Sequence, residues 1–171
     1  AAGLMNRLLQ ISAGASYTAT GEVIEFDASN RLAELTDIID STDHKVLVFV
    51  AYRHVMQMLK DKLTAHLGDP NAVEVIQGGV SAGARSETIK RFQTEDRPKV
   101  LLLAPQAAGH GITLTRADLQ CNARAHRAGQ RNCVTVTHLQ GSPVEARVYK
   151  ALHGKVDAHL DIVAMYKEEI A

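Results

Sequence analysis

Apolar residues fall along this chain in short, separated blocks, and the spacing inside each block predicts its structure. Lys45-Val-Leu-Val-Phe-Val50 and Val100-Leu-Leu-Leu-Ala104 are continuous apolar runs, as expected of strands buried on both faces of a sheet. Val73-Glu-Val-Ile76 predicts a strand between them, and Cys133-Val-Thr-Val-Thr-His-Leu139 a fourth after them. Helical spacing fills the intervals. Met56, Leu59, Leu63 and Leu67 share one face over 53–67, and Gly68 and Pro70 end that helix. Ile89 and Phe92 face inward on a helix over 82–93 that Ser81 can cap. Leu32, Leu35, Ile38 and Ile39 predict an amphipathic helix over 28–40, with Asp27 or Ser29 as its cap. Leu4 to Ile11 is a short apolar helix pattern, and Ser12 to Gly21, small and polar, reads as a loop or linker. Ser142-Pro143-Val144-Glu145 is a capping box with proline at the first helical position. It opens a helix, and a last helical segment is expected over 156–170.

Strand-helix alternation of this kind implies a three-layer α/β domain, a parallel sheet with helices on both faces. Ligands of such sheets bind outside the carboxyl ends of the strands. The informative loops are therefore those after Val50, Ile76 and Ala104.

Composition narrows the function classes. The chain has 171 residues, 46% of them hydrophobic, which suits one domain with a real core. Formal net charge is zero, so bulk electrostatics do not point to a polyanion. With three Phe, four Tyr and no Trp, stacking on bases is not the expected mode of nucleic-acid binding. No apolar run approaches a membrane span, so no membrane partner is expected. Cys121 and Cys133 belong to no metal-ligand spacing, and free thiols in a reducing compartment are expected, with no metal site. The start, Ala1-Ala2-Gly3, has no secretory pattern and reads as a cut end; an intracellular protein is expected, cytoplasmic or nucleoid-associated if bacterial or phage.

The densest chemistry lies in Gln120-Cys-Asn-Ala-Arg124-Ala-His126-Arg127-Ala-Gly129-Gln130. On a helix, positions 120, 124 and 127 share one face. That face carries one amide and two guanidinium groups, permanently charged forks that fit phosphate oxygens. Taken alone, arginines one turn apart are as readily a solvated helix face. After the third strand, Gly109 and Gly111 let backbone amides approach a ligand, or simply make a tight turn. After the second, Gly78-Gly79-Val-Ser81 leads to Arg85 at a helix start, where amides favour anions. Neither glycine segment is a P-loop or a dinucleotide fingerprint.

In order, these segments resemble the C-terminal RecA-like lobe of superfamily-two helicases, of P-loop NTPase type. The nearer resemblance is to Swi/Snf-type DNA translocases, particularly bacterial and phage relatives. Lys45–Val50 looks like motif IV, Gln77-Gly78-Gly79 through Arg85 to Phe92 the family's "G…R…F" segment, and Val100–Leu114 motif V. Gln120–Gln130 matches motif VI, Q-x-x-x-R-x-H-R-x-G-Q, and Gly141–Glu145 resembles the "G-T-x-E" helix start. The resemblance divides the chain into a linker or remnant of a preceding lobe (1–27), the RecA-like helicase C-terminal domain (28–154) and a C-terminal helix (155–171).

The resemblance also implies a mechanism. ATP and magnesium would be held mainly by an absent N-terminal lobe, which carries the P-loop and the acidic motif. Arg127 matches the arginine finger and Arg124 its companion, while Gln120 orients that face and Gly109 and Gly111 lie near the nucleotide. Gly78, Ser81, Arg85 and Thr113 would grip the backbone of duplex DNA. Two alternatives are a non-catalytic nucleotide- or phosphate-binding α/β module and the equivalent lobe of an RNA helicase.

The chain departs from the family in two places. Where motif V reads Ser-Thr-Arg-Ala-Gly-Gly, this chain has Ala104-Pro105-Gln106-Ala107-Ala108-Gly109, so an arginine contact is lost. Relatives also carry a further strand and loop between the positions of Asp118 and Leu119. Deleting a buried strand should open the core, so the expectation is a gap in the numbering, with Cα118 and Cα119 much farther apart than the ~3.8 Å of a trans peptide.

Overall fold

The computed structural model describes residues 2–107, 117–119 and 137–154. They form two compact units, residues 1–31 with 139–171, and residues 32–138. The second unit holds the sheet. Its elements, in chain order, are the remainder of a helix over Ser29–Asp40 (α2), strand Lys45–Phe49 (β3), helix Arg53–Leu67 (α3), strand Val73–Ile76 (β4), helix Ala82–Thr94 (α4), and strands Val100–Leu103 (β5) and Ala117–Leu119 (β6). The strand order is β4-β5-β3-β6, with every pairing parallel. β3 and β5 run in register from Val46↔Val100 to Phe49↔Leu103, and β4 meets β5 from Val73↔Val100 to Ile76↔Leu103. The carboxyl ends of β3, β4 and β5 therefore gather at one edge.

The apolar runs do what their composition dictates. Val100, Leu101, Leu102 and Leu103 are all buried, as are Val46, Leu47, Val73 and Ile76. Phe92 of α4 is fully buried and packs with Leu47, Ile76, Leu101 and Leu103. On α3, Met56 and Leu63 are buried as expected, whereas His54, Val55 and Met58 take the other inward places and Leu59 and Leu67 are half-buried. Gly68 closes α3 at φ 64°, a left-handed conformation that favours glycine, and donates its N–H to Thr64 O at 3.0 Å. Asp27 accepts the Ser29 N–H at 3.0 Å before α2. Hydrogen bonds from the Ser29 side chain and backbone hold its carboxyl below the usual range.

β6 corrects the expected gap. The strand runs uninterrupted through Asp118–Leu119 and pairs with β3 on both sides of that junction. Asp118 and Leu119 are consecutive residues of one strand. The sheet keeps a fourth strand at a cost in regularity: Lys45 faces Ala117 and Val46 faces Leu119, a one-residue slip of the kind that marks a bulge.

The first unit comprises helix Ala2–Ser12 (α1), a hairpin of Ala15–Tyr17 (β1) and Val23–Glu25 (β2), the start of α2, and helix Pro143–Gly154 (α5). The hairpin replaces the loop expected over Ser12–Gly21. Tyr17 pairs with Val23, and Gly21 turns the chain at φ 87°. β1 is covered, with Ala15 and Ser16 buried, but all three residues of β2 are exposed.

Ser142 caps α5, accepting the Glu145 N–H at 3.3 Å. Glu145 reaches back to the Gly141 N–H at 2.8 Å, one residue beyond the usual partner in a capping box, and also pairs with Arg31. Glu145→Ala is expected to lower stability by about 1–2 kcal/mol in urea unfolding, because it removes a cap and a charge-assisted bond together. Of the strand predicted over Cys133–Leu139, residues 133–136 lie outside the described residues and Thr137–Leu139 is irregular; the predicted helix over 156–170 also lies outside them.

Candidate nucleic-acid-facing edge

Two crossovers deliver their side chains to the edge where β3, β4 and β5 end. After β3 the chain enters α3 at Arg53, with Tyr52 extended just before it. His54, Val55 and Met56 are buried directly behind, so this helix start is anchored on the core while Arg53 itself stays exposed. The ring of Tyr52 stacks on that of His54, centroids 5.9 Å apart.

After β4 the chain makes the turn Gln77-Gly78-Gly79-Val80, closed by a long Val80 N–H to Gln77 O bond of 3.4 Å. Gly79 has φ 90°, which explains a glycine there. Gly78 is different. A Cβ placed on it would meet nothing within 4 Å, so packing does not demand glycine at this position. Ser81 is extended and caps α4, accepting the Ala84 N–H at 3.2 Å. Arg85 follows on the first turn and is half-buried, its Nε enclosed and without a hydrogen-bond partner among the described residues.

The predicted residues Gly78, Ser81 and Arg85 are thus brought together at the carboxyl edge, around an open turn and a capped helix start. Sequence reasoning missed Arg53. Its Nε donates to Gln77 Oε1 at 3.3 Å and its Nη2 to Gly78 O at 3.5 Å. The available signal was its position, the first helical residue after a strand that ends at this edge.

The loop leaving β5 also starts here. Its first residues turn tightly, with the Ala107 N–H on Ala104 O at 2.9 Å and Ala107 buried against the core, so Pro105 and Gln106 are left exposed. Gln106 stands where the motif V arginine is expected. Gly109, Gly111, Thr113, Gln120, Arg124 and Arg127 lie outside the described residues.

A parallel sheet with helices between its strands, its strand ends gathered at one edge, is the fold of a RecA-like helicase lobe. The chain belongs to the helicase conserved C-terminal domain family, whose model matches residues 30–141. Its relatives bear out the Swi/Snf-type resemblance. It is 29% identical over 140 residues to Protein CHROMATIN REMODELING 4 of Arabidopsis thaliana, covering 73% of this chain and 6% of that protein. It is 32% identical over 140 residues to Chromodomain-helicase-DNA-binding protein 1-like of Mus musculus, covering 73% and 15%. The chain therefore spans a small fraction of the length of these relatives. Among solved structures, the SWI2/SNF2 ATPase core of Sulfolobus solfataricus in complex with dsDNA is similar in fold (TM-score 0.57, 21% identity, 69% of this chain and 25% of that one). So is the C-terminal part of the Fun30 ATPase domain (TM-score 0.54, 22% identity, 66% and 42%). These matches do not bear on the narrower bacterial or phage kinship.

Proposed function

We propose that this chain is the second lobe of an ATP-driven DNA translocase. Its role is to complete an ATP site built mainly by a first lobe and to hold one strand of duplex DNA at its carboxyl edge. The observation that carries this reading is the gathering of Gly78, Ser81 and Arg85 at the strand-end edge of a helicase C-terminal domain. The amides at the start of α4 favour a phosphate, and Arg85 adds a fixed positive charge one turn on. Thr113 belongs to the same set by its place in motif V. Such contacts go to the sugar-phosphate backbone and read no sequence.

The nucleotide-facing set is Gln120, Arg124 and Arg127, with Gly109 and Gly111. Bound ATP with magnesium supplies the phosphoryl chemistry. The guanidinium of Arg127 would neutralise charge on the phosphates, and Arg124 would hold the same face against them. An intracellular setting follows from this substrate and this track.

The reading is tested by complementation. The chain alone is expected to show negligible ATP hydrolysis, because it has no P-loop. Mixing it with an N-terminal lobe that carries the P-loop and the acidic motif, in the presence of duplex DNA, should restore turnover. Tight ATP binding by the chain alone would favour a non-catalytic phosphate-binding module instead. Stronger stimulation by duplex RNA than by duplex DNA would assign it to an RNA helicase.

A further inference from the structure

We propose that Arg53 is a positioning residue that clamps the Gln77–Gly78 turn from across the end of β5 and so holds the DNA-facing edge in its binding shape. The inference rests on the DNA-contact reading above and deepens it.

The strand order makes the clamp unusual. β3, which feeds Arg53, and β4, which feeds Gln77, are not neighbours; β5 lies between them. Strands sit about 4.7–4.9 Å apart, so a group leaving β3 must cross two such spacings to reach the turn after β4. A guanidinium on a long stem spans that distance and brings two donors in a fixed fork. Both are used on the same turn: Nε on the Gln77 side chain at 3.3 Å and Nη2 on the Gly78 carbonyl at 3.5 Å.

Among the described residues, the turn itself has little else to fix it. Its internal bond is long at 3.4 Å, and Cβ atoms built on Gly78 and Gly79 would meet nothing within 4 Å. Paired glycines leave the backbone with wide conformational freedom. The anchor at the other end is firm, because His54, Val55 and Met56 are buried behind Arg53. One exposed side chain therefore ties a loose, glycine-rich turn to a rigid helix start. The turn leads straight into Ser81 and Arg85, so their placement depends on the tie. Because Arg53 is exposed, its bonds add little to global stability. Its effect falls on the order of one loop.

The test uses the 171-residue chain with Arg53→Ala and Arg53→Lys. Amide exchange at Gly78–Ser81 in the free protein should quicken about tenfold in Arg53→Ala, while β4 and β5 and the melting temperature stay unchanged. Affinity for duplex DNA at low salt should fall about tenfold. The slope of log K against log salt should hold, and Arg53→Lys should recover part of the loss. In a Gln77→Ala background the Arg53→Ala effect should shrink, since the two act through one turn. Unchanged exchange overturns the proposal. So does unchanged DNA affinity once exchange has quickened, or a salt slope lower by about one phosphate, which would make Arg53 a direct contact. Arg85→Ala separates the two readings: if it leaves duplex affinity unaltered, the DNA-contact assignment fails, while the exchange result still judges the clamp.

Discussion

Arg127→Ala is expected to lower DNA-stimulated ATP hydrolysis by about 10³–10⁵-fold when the chain is combined with a first lobe. The magnitude follows from where charge develops. Phosphoryl transfer builds negative charge on the phosphate oxygens, and a fixed cation in a closed, dry cleft stabilises it far more than one in water. Arg127→Lys should rescue poorly, because an ammonium lacks the planar fork. Arg124→Ala should act in the same direction. DNA binding by the chain alone should be unaffected by either change, which separates the nucleotide face from the edge that carries Arg85. Single-turnover hydrolysis with duplex DNA checks the expectation, and unimpaired turnover in Arg127→Ala would remove the finger assignment.

The second large effect is on folding. Phe92→Ala should destabilise the sheet unit by about 3–5 kcal/mol, since it removes a wholly enclosed aromatic ring and leaves a cavity. The ring fills the space between α4 and the sheet, against Leu47, Ile76, Leu101 and Leu103, residues of three different strands. No single neighbour can relax into the void without disturbing two strands. The ring also lies under Lys45, whose Nζ is 5.0 Å from its centroid and donates to the Glu95 carbonyl at 2.5 Å. Truncation would remove the ring from beneath that buried ammonium. Phe92→Leu should cost less, because it keeps part of the volume. Urea unfolding of both variants measures the difference, and a Phe92→Ala loss under about 1 kcal/mol would mean the ring is not central to the core.

What could be seen in the sequence depended on how local each signal is. β3 and β5 were legible because their apolar runs are continuous, and β4 because Val73, Val75 and Ile76 form a short block bounded by turn residues. The starts of α4 and α5 were legible from Ser81 and from the Ser142–Glu145 box. The hairpin was missed because Ala15-Ser16-Tyr17 has no strand pattern of its own; it is ordered by pairing with Val23–Glu25 across a turn. β6 escaped for the same reason. Ala117-Asp118-Leu119 carries no period, and only its nonlocal pairing with Lys45 and Val46 makes it a strand. At the edge, Gly78, Ser81 and Arg85 could be picked out by type and order. The Arg53 clamp could not, because it joins residues 24 apart that follow two strands not adjacent in the sheet. The Arg31 partner of Glu145 was likewise invisible at a separation of 114.

The uncovered β2 strand has a practical side. Leu4, Ile11, Tyr17, Val23, Ile24 and Phe26 are the exposed large apolar side chains among the described residues, and all precede the sheet unit. Among the described residues, adhesiveness is therefore concentrated in the leading segment, where a ribbon edge lined by branched side chains offers itself as a template for further strands. Self-association or capture on hydrophobic resins, wherever it arises in handling this polypeptide, should be sought in those first residues and engineered out there, leaving the strand-end edge untouched.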